Sequence, residues 1–245
     1  SEQGQAMIKA PSSASPNASA NTEADVDSSD DSEGTLSPSG SSSGMDWSAA
    51  NTASTPSSGS RQFTVCIDPG HQGSWVDMSA QEPMAPGSSQ TKTGTTGNYS
   101  KVPEYEVNLE VSLVLEKELA SRGYKVVMTR EDNDKAISNK ERAEFATESG
   151  ADITVRIHAN SDNSASAAGA LTMAPTSSNQ YLDKELIEKS NTLASCIIDS
   201  YCNATGLANK GVISADNMTG TNWSTVPVAI LEMGFMSNQN DDLYI

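Results

Sequence analysis

Short apolar runs of strand length alternate with helix-periodic segments through residues 61–245, and that alternation leaves few folds open. FTVCID (63–68) is rich in β-branched residues and stops at Pro69-Gly70, which reads as a buried strand. From Glu104 the period changes. Val107, Val111, Val114, Leu115 and Leu119 fall on one helical face, and Gly123 stands where a helix C-terminus takes a left-handed residue. YKVVMTR (124–130) predicts a second strand, SNKERAEFATES (138–149) a helix ended by Gly150, and DITVRIHAN (152–160) and GALTMAP (169–175) two further strands. Leu182, Leu186, Leu193, Ile197 and Tyr201 predict a helix within 179–203, closed before Gly206, and VPVAILEMGF (226–235) supplies a last buried strand. Strands and helices in this order predict an α/β domain with a central, mostly parallel, twisted sheet flanked by helices.

Residues 1–60 are different in kind. They hold 18 serines, and their only large apolar side chains are Met7, Ile8, Val26, Leu36, Met45 and Trp47. Burying so little apolar surface does not offset the entropy lost on ordering. The expectation is a disordered Ser/Asp-rich linker over 1–60, followed by one domain over 61–245. As a coil, such a linker spans roughly 40–45 Å, suited to a tether behind a signal or membrane anchor upstream of Ser1. No run of about 18 apolar residues occurs, so no membrane span is expected. With 15 Lys+Arg against 32 Asp+Glu the net charge is −17, which argues against nucleic acid as a partner, since phosphate neutralisation needs clustered cations. The three cysteines, Cys66, Cys196 and Cys202, form no disulfide framework and read as buried thiols.

The chemistry-bearing residues gather at strand ends. The chain has two histidines: His71 follows the first strand and His158 closes the third. Sites in open α/β sheets form outside the carboxyl ends of the strands. One histidine beside an apolar run is more often structural, but two on the same rim point to a shared role. Glu232 emerges from the apolar run VAILEMGF, where a buried carboxylate needs a partner or a metal. Glu104 opens the first long helix; alone, it reads as a first-turn carboxylate complementing the helix dipole. Two imidazoles and one carboxylate make a catalytic zinc set with a fourth position left for water, and a further carboxylate can relay protons. Asp68 and Asn160, next to the histidines in sequence, either orient them or serve as turn residues.

The runs VCIDPGHQG, EYEVNLEVSLVLEKELASRGYKVVMTRE, ADITVRIHAN, GLANKGV and VPVAILEMGFMSN, in this order across residues 62–245, resemble the catalytic domain of zinc-dependent N-acetylmuramoyl-L-alanine amidases. The resemblance implies an α/β catalytic domain that hydrolyses the amide between N-acetylmuramic acid and L-alanine in peptidoglycan. It implies Zn2+ held by His71, His158 and Glu104, the first residue of the Glu-x-x-x-Asn-Leu pattern, with Glu106 as the alternative if the register moves by one step. It implies Glu232 of the Glu-x-Gly-Phe pattern as the catalytic residue. Peptidoglycan is then the partner, and the setting is extracellular, at the cell wall.

Two departures accompany the likeness. The stretch 72–103 is longer than the short glycine turn common in the family and is expected to line the groove, act as a lid, or form a surface loop. The sequence stops at NDDLYI, where the family continues through one more helix, so the domain is expected to lack it. Two other functions share these residues: a zinc peptidase cutting within the stem peptide, and an inactive wall-binding or regulatory module. The first differs only in the bond presented to the metal; the second is disfavoured by a complete set of four site residues.

Overall fold

The computed structural model describes residues 62–76 and 94–245; the linker expected over 1–60 and the part of the long loop at 77–93 lie outside the described residues. Among the described residues six strands form one sheet: β1 (Thr64–Pro69), β2 (Lys125–Met128), β3 (Ile153–Asn160), β4 (Ala170–Ala174), β5 (Asn209–Ser214) and β6 (Val228–Phe235). Their order is β2-β1-β3-β6-β4-β5. β1 runs parallel to β2 and β3, β3 to β6, and β4 to β5; only β4 against β6 is antiparallel. The last strand in sequence thus lies in the middle of the sheet. Seven of its eight residues are buried, as its near-continuous apolar run requires.

Five helices complete the described chain: α1 (Glu104–Ser121), α2 (Asn139–Glu148), α3 (Lys184–Thr205), α4 (Thr219–Asn222) and α5 (Gln239–Tyr244). Alternate residues of each strand face opposite ways. Val65 and Ile67 meet Val107, Leu109, Ile157, Ile198, Leu231 and Met233, so α1 and α3 cover one face. Cys66 points the other way, against Ala146 and Ala151 under α2. Local signals set the helix ends. Ser138 and Glu141 form a reciprocal capping box at the start of α2, Asp183 accepts from the Leu186 amide to begin α3, and Gly206 ends α3 at φ 76°.

Two expectations are corrected, and one strand was not foreseen. β5 reads NKGVIS, a largely exposed edge strand whose Asn, Lys and Gly hide it from a search for apolar runs. Val114 is 68% exposed rather than part of the inward face of α1; it stands on the wall of an apolar groove, open to solvent, between α1 and Tyr201 of α3. Not all cysteines are buried. Cys66 and Cys202 are, whereas Cys196 faces solvent, because six residues along a helix turn a side chain well away from its predecessor. Among the described residues no helix is long and apolar enough to cross a membrane.

Between the sheet and α2 lies a buried charge cluster. The Asp68 carboxylate receives Arg142 Nη1 at 2.5 Å, Arg156 Nε at 2.7 Å and the Thr129 hydroxyl at 2.5 Å. Burial opposes its charge, but the two guanidinium groups outweigh that and hold its carboxyl well below the usual range. Removing one partner of a buried pair leaves an uncompensated charge, so Asp68→Ala is expected to lower stability by about 3–5 kcal/mol in urea unfolding at pH 7. A depressed carboxyl contributes fully above the unfolded value near 4 and loses that contribution as pH falls toward its folded value. The wild-type midpoint should therefore drop below about pH 4, and an Asp68→Asn variant should show a shallower decline there.

Candidate functional site

Each predicted site residue reaches the same rim from a different element. His71 follows β1, Glu104 is the first residue of α1, and His158 and Glu232 sit on β3 and β6. His71, Glu104 and His158 each offer one ligand atom, all within 4.8 Å of one another. Glu104 Oε1 is 3.3 Å from His71 Nε2 and 3.2 Å from His158 Nδ1. The two imidazole rings meet edge to face, with centroids 4.9 Å apart. Glu106, the alternative carboxylate, is half-buried and does not belong to this cluster.

The position of Glu104 follows from the chain before it. Thr96 pairs with Pro103, and Gly97 N donates to Val102 O at 2.9 Å, closing a tight loop that ends at α1. That loop presents Thr95 N to Glu104 Oε2 at 2.9 Å. Glu104 Oε1 also receives Asn108 Nδ2 and Ala159 N, each at 3.2 Å. The helix starts on Pro103 with no side-chain cap, so this carboxylate is turned into the site instead of complementing the helix end. Gly94, at φ 85°, lets the backbone cross the cluster: a Cβ there would lie 2.7 Å from Glu104 Oε2 and 2.9 Å from His71 Cδ2.

β3 and β6 set the remaining pair. His158 and Glu232 are register partners on adjacent parallel strands, and immediately beyond them the ladder shifts by one residue. Such bulges re-aim side chains at sheet rims. Glu232 Oε2 is buried and makes no hydrogen bond among the described residues. Burial, with the nearby Glu104 charge adding to it, pushes the Glu232 carboxyl up to about 8.

The electrostatics of the triad suit a cation. Burial disfavours charge on Glu104, yet its hydrogen bonds with His158 and His71 prevail and hold its carboxyl far below the usual range. Burial pulls the His158 imidazole down to about 4 against the contrary pull of Glu104. An ionised carboxylate beside a neutral imidazole is the protonation state that metal ligands need. Two nitrogens and one oxygen from protein, with the remaining position open, fit tetrahedral zinc of the catalytic kind.

The hydrogen bonds seen for Asp68 and Asn160, left open in the sequence between orienting the histidines and serving in turns, do not run to the histidine rings. Asp68 holds arginines, and Asn160 Oδ1 accepts from the next amide, Ser161 N, at 2.7 Å, a turn contact. The groups that do hold the histidine loop are Arg130, Arg142 and Asn108, which sequence reasoning missed. Arg130 Nη2 and Asn108 Nδ2 donate to Gly70 O at 3.0 and 3.2 Å, and Arg142 Nη2 donates to His71 O at 2.8 Å. His71 itself lies at φ 62°, a left-handed conformation that costs a non-glycine residue about 1–3 kcal/mol.

Comparison with known proteins identifies a family and a shared fold. A family model described as N-acetylmuramoyl-L-alanine amidase matches residues 65–245. Among solved structures, an N-acetylmuramoyl-L-alanine amidase from Clostridium difficile 630 is 26% identical with a TM-score of 0.61, covering 75% of this chain and 86% of that one. The catalytic domain of CwlV, an amidase from Bacillus (Paenibacillus) polymyxa var. colistinus, is 26% identical with a TM-score of 0.55, covering 74% and 86%. An N-acetylmuramyl-L-alanine amidase of Mycobacterium smegmatis, 19% identical over 74% of this chain and 86% of its own, shares the fold with a TM-score of 0.63. No curated protein sequence matches the chain significantly.

Proposed function

The chain belongs to the N-acetylmuramoyl-L-alanine amidase family, and we propose that it cleaves its peptidoglycan substrate with a zinc ion held by His71, Glu104 and His158 and with Glu232 as the catalytic residue. The enzyme hydrolyses the amide joining N-acetylmuramic acid to L-alanine. The observation that carries the zinc reading is the convergence of three ligand atoms, from three separate elements, within 4.8 Å. When bound, zinc supplies Lewis-acid chemistry, acidifying water and polarising the amide carbonyl.

The protein's own groups do the rest. Thr95 N and Asn108 Nδ2 fix the two oxygens of Glu104, so the carboxylate presents one orientation to the site. Glu232 Oε2, buried and without a hydrogen bond among the described residues, takes the proton of the attacking water. The same oxygen then returns it to the departing alanine nitrogen, which must leave as an amine. Burial and, less strongly, the Glu104 charge raise the Glu232 carboxyl; with a cation on the triad the second of these would be offset, favouring the ionised form that a base requires. The place of action we propose is the cell envelope, where the substrate is.

Two measurements on one preparation test this. The purified chain should carry about one zinc per molecule, the single open site of a catalytic zinc centre. Mass spectrometry of digested sacculi should show lactyl-bearing glycan and intact peptides beginning with L-alanine. Fragments cut inside the stem peptide would instead mark a peptidase. His71→Ala should lose both zinc and hydrolysis, and a His71→Ala enzyme that retained both would remove the metal assignment.

A further inference from the structure

The backbone of His71 is gripped along its whole approach. Pro69 O receives Arg130 Nε at 2.9 Å and Arg142 Nη1 at 2.7 Å; Gly70 O receives Arg130 Nη2 and Asn108 Nδ2; His71 O receives Arg142 Nη2 at 2.8 Å. Three successive carbonyls are thus held by side chains that are each at most 3% exposed. Arg142 is fully engaged. Its remaining donors meet Asp68 Oδ1 at 2.5 Å, Gln72 Oε1 at 2.7 Å and Ile137 O at 3.3 Å, so none of its five N–H groups is spare. Asp68 also receives the Thr129 hydroxyl on Oδ1, beside Arg142, and Arg156 Nε on its other oxygen.

We propose that Arg142 is a positioning residue for His71: with Asp68 as its anchor and Arg130 as its neighbour, it holds the His71 backbone left-handed so that the imidazole faces Glu104 and His158. This rests on the reading of those three residues as a zinc site. The physical reason is local. An L-residue at φ 62° tends to relax toward negative φ, and that rotation would swing the Cα–Cβ bond away from its partners. Donors aimed at the carbonyls on both sides of His71 oppose it. Outer groups that orient a ligand in this way commonly change metal affinity tenfold or more when lost. Here the group works through the main chain and not through the ring.

Arg142→Lys is the test, because an ammonium keeps a charge for Asp68 but lacks the planar fork that reaches Asp68, Pro69 O, His71 O and Gln72 together. The full chain is stripped of metal, its folding checked by circular dichroism and cooperative melting, and its zinc affinity measured by chelator competition. The expected result is a folded apoprotein whose zinc affinity is weaker by about 10–100-fold, with an altered visible spectrum when Co2+ replaces zinc. Arg156→Lys is the comparison: it also loses a contact with Asp68 but touches none of the three carbonyls, and it should keep the parental affinity and cobalt spectrum. Parental affinity in Arg142→Lys, or equal loss in both variants, overturns the positioning role. If Arg142→Lys does not fold, Arg130→Lys, whose guanidinium holds Pro69 O and Gly70 O without contacting Asp68, carries the same expectation. Failure of both to fold would assign the clamp to folding alone and overturn the proposal. A parental chain that takes up no zinc would remove the metal reading itself, which separates that failure from this one.

Discussion

Glu232→Gln should reduce hydrolysis of muramyl peptides by about 10²–10⁴-fold, the usual worth of a positioned acid–base group, while leaving zinc content unchanged. The substitution keeps the shape and removes only the ability to exchange a proton. Glu232 belongs to none of the clustered ligand atoms, so the metal has no reason to leave. Its Oε2 makes no hydrogen bond among the described residues, so no contact seen for that oxygen is broken and the thermal midpoint should not fall. Burying a carboxyl whose pKa is raised to about 8 costs the folded state increasingly as pH rises from the unfolded value near 4 to about 8, and the amide carries no such cost. Turnover and zinc content measured on the same sample decide the matter. A Gln variant with full zinc and parental turnover would remove Glu232 from the proton path.

The alternation of apolar runs and helical periods was enough to order the strands and helices from β1 to α3 and to place β6, because those segments are long and locally consistent. What local pattern does not carry is pairing. That β4 meets β6 antiparallel, and that His158 lies opposite Glu232, are long-range facts of register. His71, His158 and Glu232 could still be named as candidates, since two histidines and an acid at the ends of apolar strands have few bland explanations when they occur together, whereas Glu104, at the start of α1, stood out only beside them. Arg142 was not. It lies in NKERAEFATE, a helix dense in charged residues, where an arginine reads as a solvated face, yet it is 3% exposed. A signal for the cluster did exist in β3: Arg156 interrupts the apolar run ITVRIH, and a charge inside a strand buried on both faces demands a partner. Asp68, inside VCIDP, is that partner.

Gly70→Ala should cripple metal binding although it adds one methyl group to a residue that ligates nothing. A Cβ at Gly70 would fall on the imidazole of His158, overlapping Cε1 and both ring nitrogens. The loop has little freedom to retreat. Gly70 N donates to Ile157 O at 2.9 Å, and Gly70 O is held by Arg130 and Asn108. The ring must therefore rotate, and it cannot do so while keeping Nδ1 3.2 Å from Glu104 Oε1. Zinc affinity should weaken by at least the 10–100-fold seen when an orienting group is lost, with an overpacking cost of about 1–3 kcal/mol in stability. Gly123→Ala separates the two effects. That glycine ends α1 at φ 89° with nothing within 4 Å of its would-be Cβ, so alanine there should cost about 1–2 kcal/mol of backbone strain and leave zinc affinity untouched. Chelator competition and melting curves for both variants read affinity and stability independently. If Gly70→Ala bound zinc as tightly as Gly123→Ala, the His158 ring would have room to move without loss, and the tight contact between the β1 loop and that ring would have no part in holding the metal.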